Sequence, residues 1–400
     1  MTAHATKLPD PIEVPAGGWP RARRIADVIA AAGLLLSVIG FVVNRPQFYY
    51  SWLVAYAFVF TVALGTLLFV MLQHITRAGW SVAIRRLAEV SASLIPYFAI
   101  LFIPILIGLR DIYPWARPDA LEDPLIRFKH AYLNVPFFLI RAAIYFGIWA
   151  FLSRYFLKRS VFQDTSKDYR LTVDMQRRAA PGIIVHALAL TFMAFDWLMS
   201  GDPHWYSTIF GVYIFAGNTL AAFAFLTLVA ITLRHGGWLN HTVRADHYQD
   251  LGRFMFAFCV FWAYIAFSQF FLIWYGNLPE EAEWYLLRLT GSWKPFSYFL
   301  CVGHFAIPFV LLMPRWTKRR PRFVAGMAVW VLLMHFLDMH WIVMPRLHTQ
   351  GFSPSWIDLA TVIGIGGLFV SFYTRRLTAQ ALVPAGDPRL SESLALEHLY

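Results

Sequence analysis

The sequence predicts an all-α polytopic membrane protein, and three observations carry that reading. Of its 400 residues, 58% are hydrophobic and only 14% are charged, where a soluble domain is about 25% charged. Its mean hydropathy is +0.53. Ten apolar stretches each reach the roughly 20 residues that a bilayer-crossing helix needs. These numbers exclude an ordinary cytosolic enzyme, a disordered chain and a disulfide scaffold. The apolar runs are also too long and too unalternating for β-barrel strands, which are about 10 residues each.

In chain order, a polar, Pro-containing segment (1–24) lacks the apolar h-region of a signal peptide. The first span is read over Ile25–Val43 and the second over Ser51–Ile75. The third, Leu87–Leu109, carries Glu89 at its mouth and Pro96 about a third of the way across. The fourth, Asn134–Phe156, holds Arg141 and is followed by Lys158–Arg159. The fifth is Pro181–Ser200, the sixth Tyr206–Leu233 and the seventh Leu251–Tyr275. Pro295–Met313, with Pro308 mid-span, is the eighth, followed by Lys318–Arg319. Phe323–Met344 and Trp356–Tyr373 complete a membrane domain over 25–374, and 375–400 form a tail. Tyr49, Tyr50, Trp205, Tyr206, Trp284 and Trp293 stand at span ends, where amphipathic rings anchor at the membrane interface.

Charge orients the chain. Of 34 Lys and Arg, 25 fall in segments on the N-terminal side, 8 on the other side and one, Arg141, within a span. That bias predicts an N-in/C-in topology. The net charge of +11 resolves into +13 inside and −1 outside, with −1 in the membrane. Basicity is then a topology signal with anionic membrane lipids as its partner, and no nucleic acid is expected. Cys259 and Cys301 lie in spans, with no CxxC or CxxCH motif, so no metal ligand set is assigned. No Walker A loop or dinucleotide-binding glycine pattern stands in a suitable context, and no catalytic residue is assigned.

The spans repeat. Tyr56–Ala57–Phe58 stands opposite Tyr213–Ile214–Phe215, and Asn134–Val135–Pro136–Phe137 opposite Trp293–Lys294–Pro295–Phe296. Phe192 and Asp196–Trp197 match Phe336 and His340–Trp341. Four spans per unit is an even number, so both copies share one orientation. The expectation is two parallel four-helix bundles, spans 2–5 (50–200) and 6–9 (206–345), flanked by spans 1 and 10.

Ionisable groups inside a membrane cost at least ~2.5 kcal/mol each and mark functional or paired positions. Glu89, Arg141, His186, Asp196, His304, His335, Asp338 and His340 are the candidates for a proton path. Glu89 and His186 would lead in from the inner side, and Asp196 with Arg141 would form an outer exit. His304, His335, Asp338 and His340 would form a second path. His335 and Asp338, three residues apart, share a helix face. Asp196, Trp197, Tyr213, Gln269, His340 and Trp341 are the candidates for quinone contact, since a quinol needs polar groups at its oxygens and a proton acceptor. Haem b would need facing histidine pairs at equal depth, and two stacked pairs are absent. A secondary transporter with a central polar site and a purely structural anchor are the competing readings. Solvated or ion-paired roles are the bland alternatives for the two aspartates, and interfacial placement is the bland one for Glu89.

Three stretches carry a resemblance: Asp202–Pro203–His204–Trp205–Tyr206–Ser207–Thr208–Ile209–Phe210–Gly211, Tyr248–Gln249–Asp250–Leu251–Gly252–Arg253–Phe254–Met255–Phe256, and Phe267–Ser268–Gln269 onward to Pro279–Glu280–Glu281. The chain resembles, over about residues 20–380, the ActF-type smaller membrane subunit of bacterial alternative complex III. That complex is a quinol:cytochrome c (electron-acceptor) oxidoreductase, and the subunit is similar to NrfD/PsrC-like membrane anchors. The resemblance implies two parallel four-helix bundles and a bacterial cytoplasmic-membrane location. It implies no redox centre in this chain: haem and iron–sulfur clusters would sit in partner subunits, and quinol is the molecule this chain would meet. The implied partners are a larger homologous NrfD-like subunit, an iron–sulfur subunit, multihaem and monohaem cytochromes c, small membrane subunits and a terminal oxidase. The resemblance supplies no quinone motif, so the site residues rest on depth and chemistry.

Overall fold

A computed structural model describes residues 19–398, so most of the polar N-terminal segment, including Lys7, lies outside the described residues. The described chain is helical, with ten helices long and apolar enough to cross a bilayer: α1 Pro20–Val43, α2 Arg45–Ile75, α3 Val82–Ile107, α4 Val135–Ser166, α5 Tyr169–Gly201, α6 Phe210–His235, α7 Ala245–Gly276, α8 Trp293–Leu312, α9 Pro321–Arg346 and α10 Trp356–Leu377. The chain is a multi-pass, all-α membrane protein.

Local chemistry sets the helix starts. Asn44 accepts from the Gln47 amide, Asn134 from Phe137, and Asp168 from Arg170. Ser355 and Asp358 form a reciprocal capping box at α10. These caps satisfy amides that a helix leaves bare. Several helices outrun their apolar stretch. α5 begins at Tyr169 and takes Pro181 into its interior, and α4 continues to Ser166. At 1.5 Å per residue, α4 is about 48 Å long, well beyond the ~30 Å hydrocarbon layer. Hydropathy marks only the part inside that layer.

α2 and α6 are the most enclosed helices and pack on one another. Each also packs on the next helix in the chain (α3, α7), and α2 packs on α5 as α6 does on α9. α2 touches α9 as well, and α6 touches α5. Outside this core α1 lies along α10, where a Cβ on Gly33 would stand 2.3 Å from the Gly364 amide nitrogen. At the α2–α6 crossing a Cβ on Gly65 would meet the Asn218 carbonyl at 2.4 Å. Small residues allow this approach where lipid supplies no hydrophobic drive.

Three spans depart from regular helix. α3 is interrupted by a 3₁₀ turn at Ile95–Tyr97, beside Pro96. α5 and α8 each contain a π-helical turn, Ala194–Leu198 and Val302–Ala306. The rings expected to anchor at the interface divide. Tyr206 is exposed, but Tyr49, Tyr50, Trp205, Trp284 and Trp293 are buried in the core. Trp205 stacks on Trp284 at 4.3 Å and 12°. Loop segments cover these span ends and enclose the rings that hydropathy alone places at a bilayer edge.

Candidate functional site

The two membrane aspartates have different surroundings. Asp196 stands on the π turn of α5 and is closed in a bidentate pair with Arg141, at 2.8 and 2.9 Å. The Tyr145 hydroxyl donates to the same carboxylate at 2.7 Å. Arg141 also donates to the Tyr132 carbonyl and lies over the Tyr132 and Phe137 rings, 3.8 and 4.3 Å from their centroids. Both oxygens of Asp196 are thus engaged by fixed donors. Beside it, Trp197 packs against Phe102 at 4.4 Å, among Tyr56, Phe60 and Phe146. This part of the molecule is filled by rings.

Asp338, on α9, accepts from the Tyr213 hydroxyl of α6 through one oxygen and from Trp262 Nε1 of α7 at 3.2 Å through the other. It is fully buried, and among the described residues no cation pairs with it. His335 does not bond Asp338 despite the shared helix face. The carboxylate turns toward α6 and α7, while the imidazole Nε2 reaches Thr61 Oγ1 of α2 at 2.9 Å. His304, on the π turn of α8, stacks on Trp262 at 3.9 Å and 28°. Among the described residues both its ring nitrogens lack hydrogen-bond partners, as do both of His186, Nδ1 of His335 and the amide nitrogen of Asn218.

Tyr213 and Trp262 form one wall of a cavity of about 350 Å³ between α6, α7, α8, α9 and a loop helix, Pro279–Arg288. Ala263 and Ala266 of α7 leave the space, and Phe267 and Tyr298, both exposed, stand at its edge. The opening therefore faces the lipid side between α7 and α8. The volume falls at the small end of ligand pockets. The wall is almost wholly apolar, and Tyr285, Ser297 and Trp341 line it on the side of the loop helix. Gln269 donates to the Tyr285 hydroxyl at 2.9 Å and accepts from Ser207 at 3.2 Å. Trp341 Nε1 donates to Ser297 Oγ at 2.7 Å, and Ser297 donates to the Arg288 carbonyl at 2.7 Å. The Arg288 guanidinium is buried 3.4 Å above Trp284 and donates to the carbonyls of Trp284, Trp341 and Ile342. Burial pulls its pKa down to about 9, so it stays a cation at neutral pH and clamps the loop helix to the end of α9.

The chain matches no family model and no curated protein. Its site is read from its own chemistry.

Of the sequence candidates for quinone contact, Tyr213 and Trp341 line the cavity, and Gln269 lies one hydrogen bond behind Tyr285. Asp196 and Trp197 lie apart from it, against α4 and α3. His340 packs on Trp293, Phe296 and Phe352, with Nε2 unpartnered, and does not line the cavity. Glu89 is fully enclosed by protein. It is buried between Arg85 and Arg86 at 3.2 and 3.0 Å, and Arg85 also bonds Asp387 of the tail. Trp262, Tyr285, Arg288 and Thr61 were missed by sequence reasoning. Trp284–Tyr285 followed by Arg288 at helical spacing, in a segment outside the spans, was the available signal for two of them.

Proposed function

We propose that this chain is the membrane subunit of a respiratory quinol:electron-acceptor oxidoreductase of the alternative complex III type, in the bacterial cytoplasmic membrane. In this reading the chain holds no redox centre. It takes the quinol ring in the lateral cavity, receives protons, and scaffolds partners that carry iron–sulfur clusters and haems c beside a larger homologous subunit. The observation that carries the reading is the cavity wall, where a tyrosine lining the lipid-open space donates directly to a buried carboxylate that has no counter-ion among the described residues.

The chemistry follows from that wall. Quinol oxidation releases two electrons, to a centre on a partner, and two protons. A quinol hydroxyl against the Tyr213 oxygen passes its first proton there as the Tyr213 proton moves to Asp338. Asp338 can accept it without breaking an ion pair, unlike Asp196. The second quinol oxygen would meet Tyr285 or Ser297, the other hydroxyl-bearing residues of the lining. Beyond Asp338, His335 and Thr61 lead to the α2–α6 contact, where Asn218 stands beside Gly65. Thr66 then bonds Ser91 at 3.0 Å, and Ser91 lies on the same helix as Glu89. Unpartnered nitrogens of His304, His335 and Asn218 are the groups that bridging water would join.

Purification in mild detergent tests the assembly. Cytochromes c and an iron–sulfur protein should co-purify with the chain, and a solitary haem-free protein would remove the reading. In the purified complex, Asp338→Asn should keep the haem spectrum and cut quinol:acceptor turnover by about 100-fold, the scale of a lost proton acceptor. Wild-type turnover in that variant would take the proton role from Asp338.

A further inference from the structure

A second cavity, of about 890 Å³, lies at the other end of the molecule, the end that holds the tail. It is framed by the end of α6 (Ile231, Arg234, His235), by Asn240, by Arg319 and Arg320 of the α8–α9 turn, and by the start of α9 (Arg322, Phe323). Four guanidinium groups and one imidazole converge, with no carboxylate in the lining. Among the described residues, Arg319 alone of the four is neutralised by a carboxylate, Asp246 at 2.5 Å. Arg320 and Arg322 are exposed, and among the described residues neither makes an ion pair. α9, a helix whose continuous α-helical part runs Pro321–Val343, begins here with no side-chain cap and no acid in its first turn. Like charges gathered this way repel unless an anion sits among them.

The level of the cavity identifies the anion. Ile231 and Phe323 give it an apolar side. Trp316, more than half exposed, stands beside it with Arg320 4.9 Å over its ring. An exposed Trp under an arginine marks headgroup depth in a bilayer. Basic pockets between membrane helices hold polyanionic lipid headgroups. We propose that this cavity is a specific site for an anionic phospholipid with two phosphates, of the diphosphatidylglycerol class. Its headgroup is held by Arg234, Arg320 and Arg322, and its acyl chains run along α6 and α9. Two exposed arginines without ion pairs among the described residues, Arg320 and Arg322, join Arg234, whose guanidinium donates to the Val243 carbonyl at 3.4 Å and keeps its charge, and with the uncapped helix start they exceed what one phosphate requires. The site is separate from the proposed quinol site and does not depend on it.

The test is native mass spectrometry of the full chain in detergent, titrated with diphosphatidylglycerol, phosphatidylglycerol, phosphatidylcholine and inorganic phosphate. The diphosphatidyl lipid should be retained most and should raise the unfolding temperature most. An Arg320→Gln, Arg322→Gln double variant should weaken its retention by roughly 25-fold, about fivefold for each arginine. Both side chains are exposed, so the variant's unfolding temperature in lipid-free detergent should match wild type. Unchanged retention in the variant overturns the site. Equal retention of phosphatidylglycerol overturns the two-phosphate assignment. An equal thermal shift from inorganic phosphate makes it a soluble-anion site instead.

Discussion

Arg141 and Asp196 illustrate how a buried charge is tolerated. Each is expensive alone in the membrane, and together they close a bidentate pair capped by Tyr145 and the Tyr132 ring. Arg141→Ala leaves the carboxylate buried without its cation and should destabilise the protein by about 3–5 kcal/mol. An Arg141→Met, Asp196→Leu pair should recover most of that loss, because no charge is then stranded. Thermal unfolding in detergent reads both, and a double variant as unstable as the single one would contradict the account. The depth of the two residues along their helices was legible in the sequence and placed them within reach of each other. Their surroundings were not, because nothing in the spacing of Tyr132 and Tyr145 marks them as partners of Arg141 and Asp196. Asp338 was legible as an unusual residue, but its partners Tyr213 and Trp262 lie on other helices, and only the α6–α7–α9 packing makes them partners. Arg288 was counted as an outer loop charge, and it is a buried clamp. Sequence gives a residue's depth, while its neighbours belong to the fold.

Individual helices were the most legible part, because a run of apolar residues long enough for the bilayer needs no tertiary context. Their polar extensions and irregular turns were less so. A π turn such as Val302–Ala306 leaves no local signature in hydropathy, and here it carries His304 to the face of Trp262. Pro96 did mark the break in α3. Contacts between helices depend on glycines whose meaning appears only when a partner is known. α1 is held to the rest of the molecule mainly along α10, through Gly33 against Gly364 and Ala30 against Gly367. In Gly33→Val the new side chain meets backbone that cannot yield, so α1 must shift outward. The expected cost is about 1–3 kcal/mol of overpacking. Protease access near residue 44, where α1 and α2 meet, should rise as well. A Gly147→Val variant is the control, because a Cβ there meets nothing within 4 Å. Equal effects of the two substitutions would remove the close-packing explanation.

Across the whole molecule, the two central helices share one pattern of contacts, yet the surroundings of their tyrosines differ. Tyr56 donates to the Phe98 carbonyl amid packed rings, whereas Tyr213 donates to Asp338 beside an open cavity. The chain also closes on itself in a way that composition could not reveal. The segment after α10, which the sequence shows only as a short polar tail, folds back across the ends of α3, α4 and α7. Its Asp387 bonds Arg85, the Gly386 amide donates to Asp164, and Ser393 donates to the Trp80 carbonyl. His398 reaches Asp250 of α7, and its carbonyl accepts from Arg315. Arg85, Arg86 and Glu89 would otherwise form a charged cluster facing water at the mouth of α3, and the tail converts it into a closed network with the side chains fully desolvated. Charge-assisted bonds of this kind contribute about 1.5–3 kcal/mol each when buried. Asp387→Asn keeps the shape of the tail and removes one charge. It should therefore cost about that much stability and loosen residues 381–398 without detaching α10. Hydrogen exchange should show faster exchange at the Ser393 and His398 amides together with the Ala83 amide, which donates to Ser393. Faster exchange confined to the tail, with Ala83 unchanged, would mean that the tail lies on the surface without bracing α3.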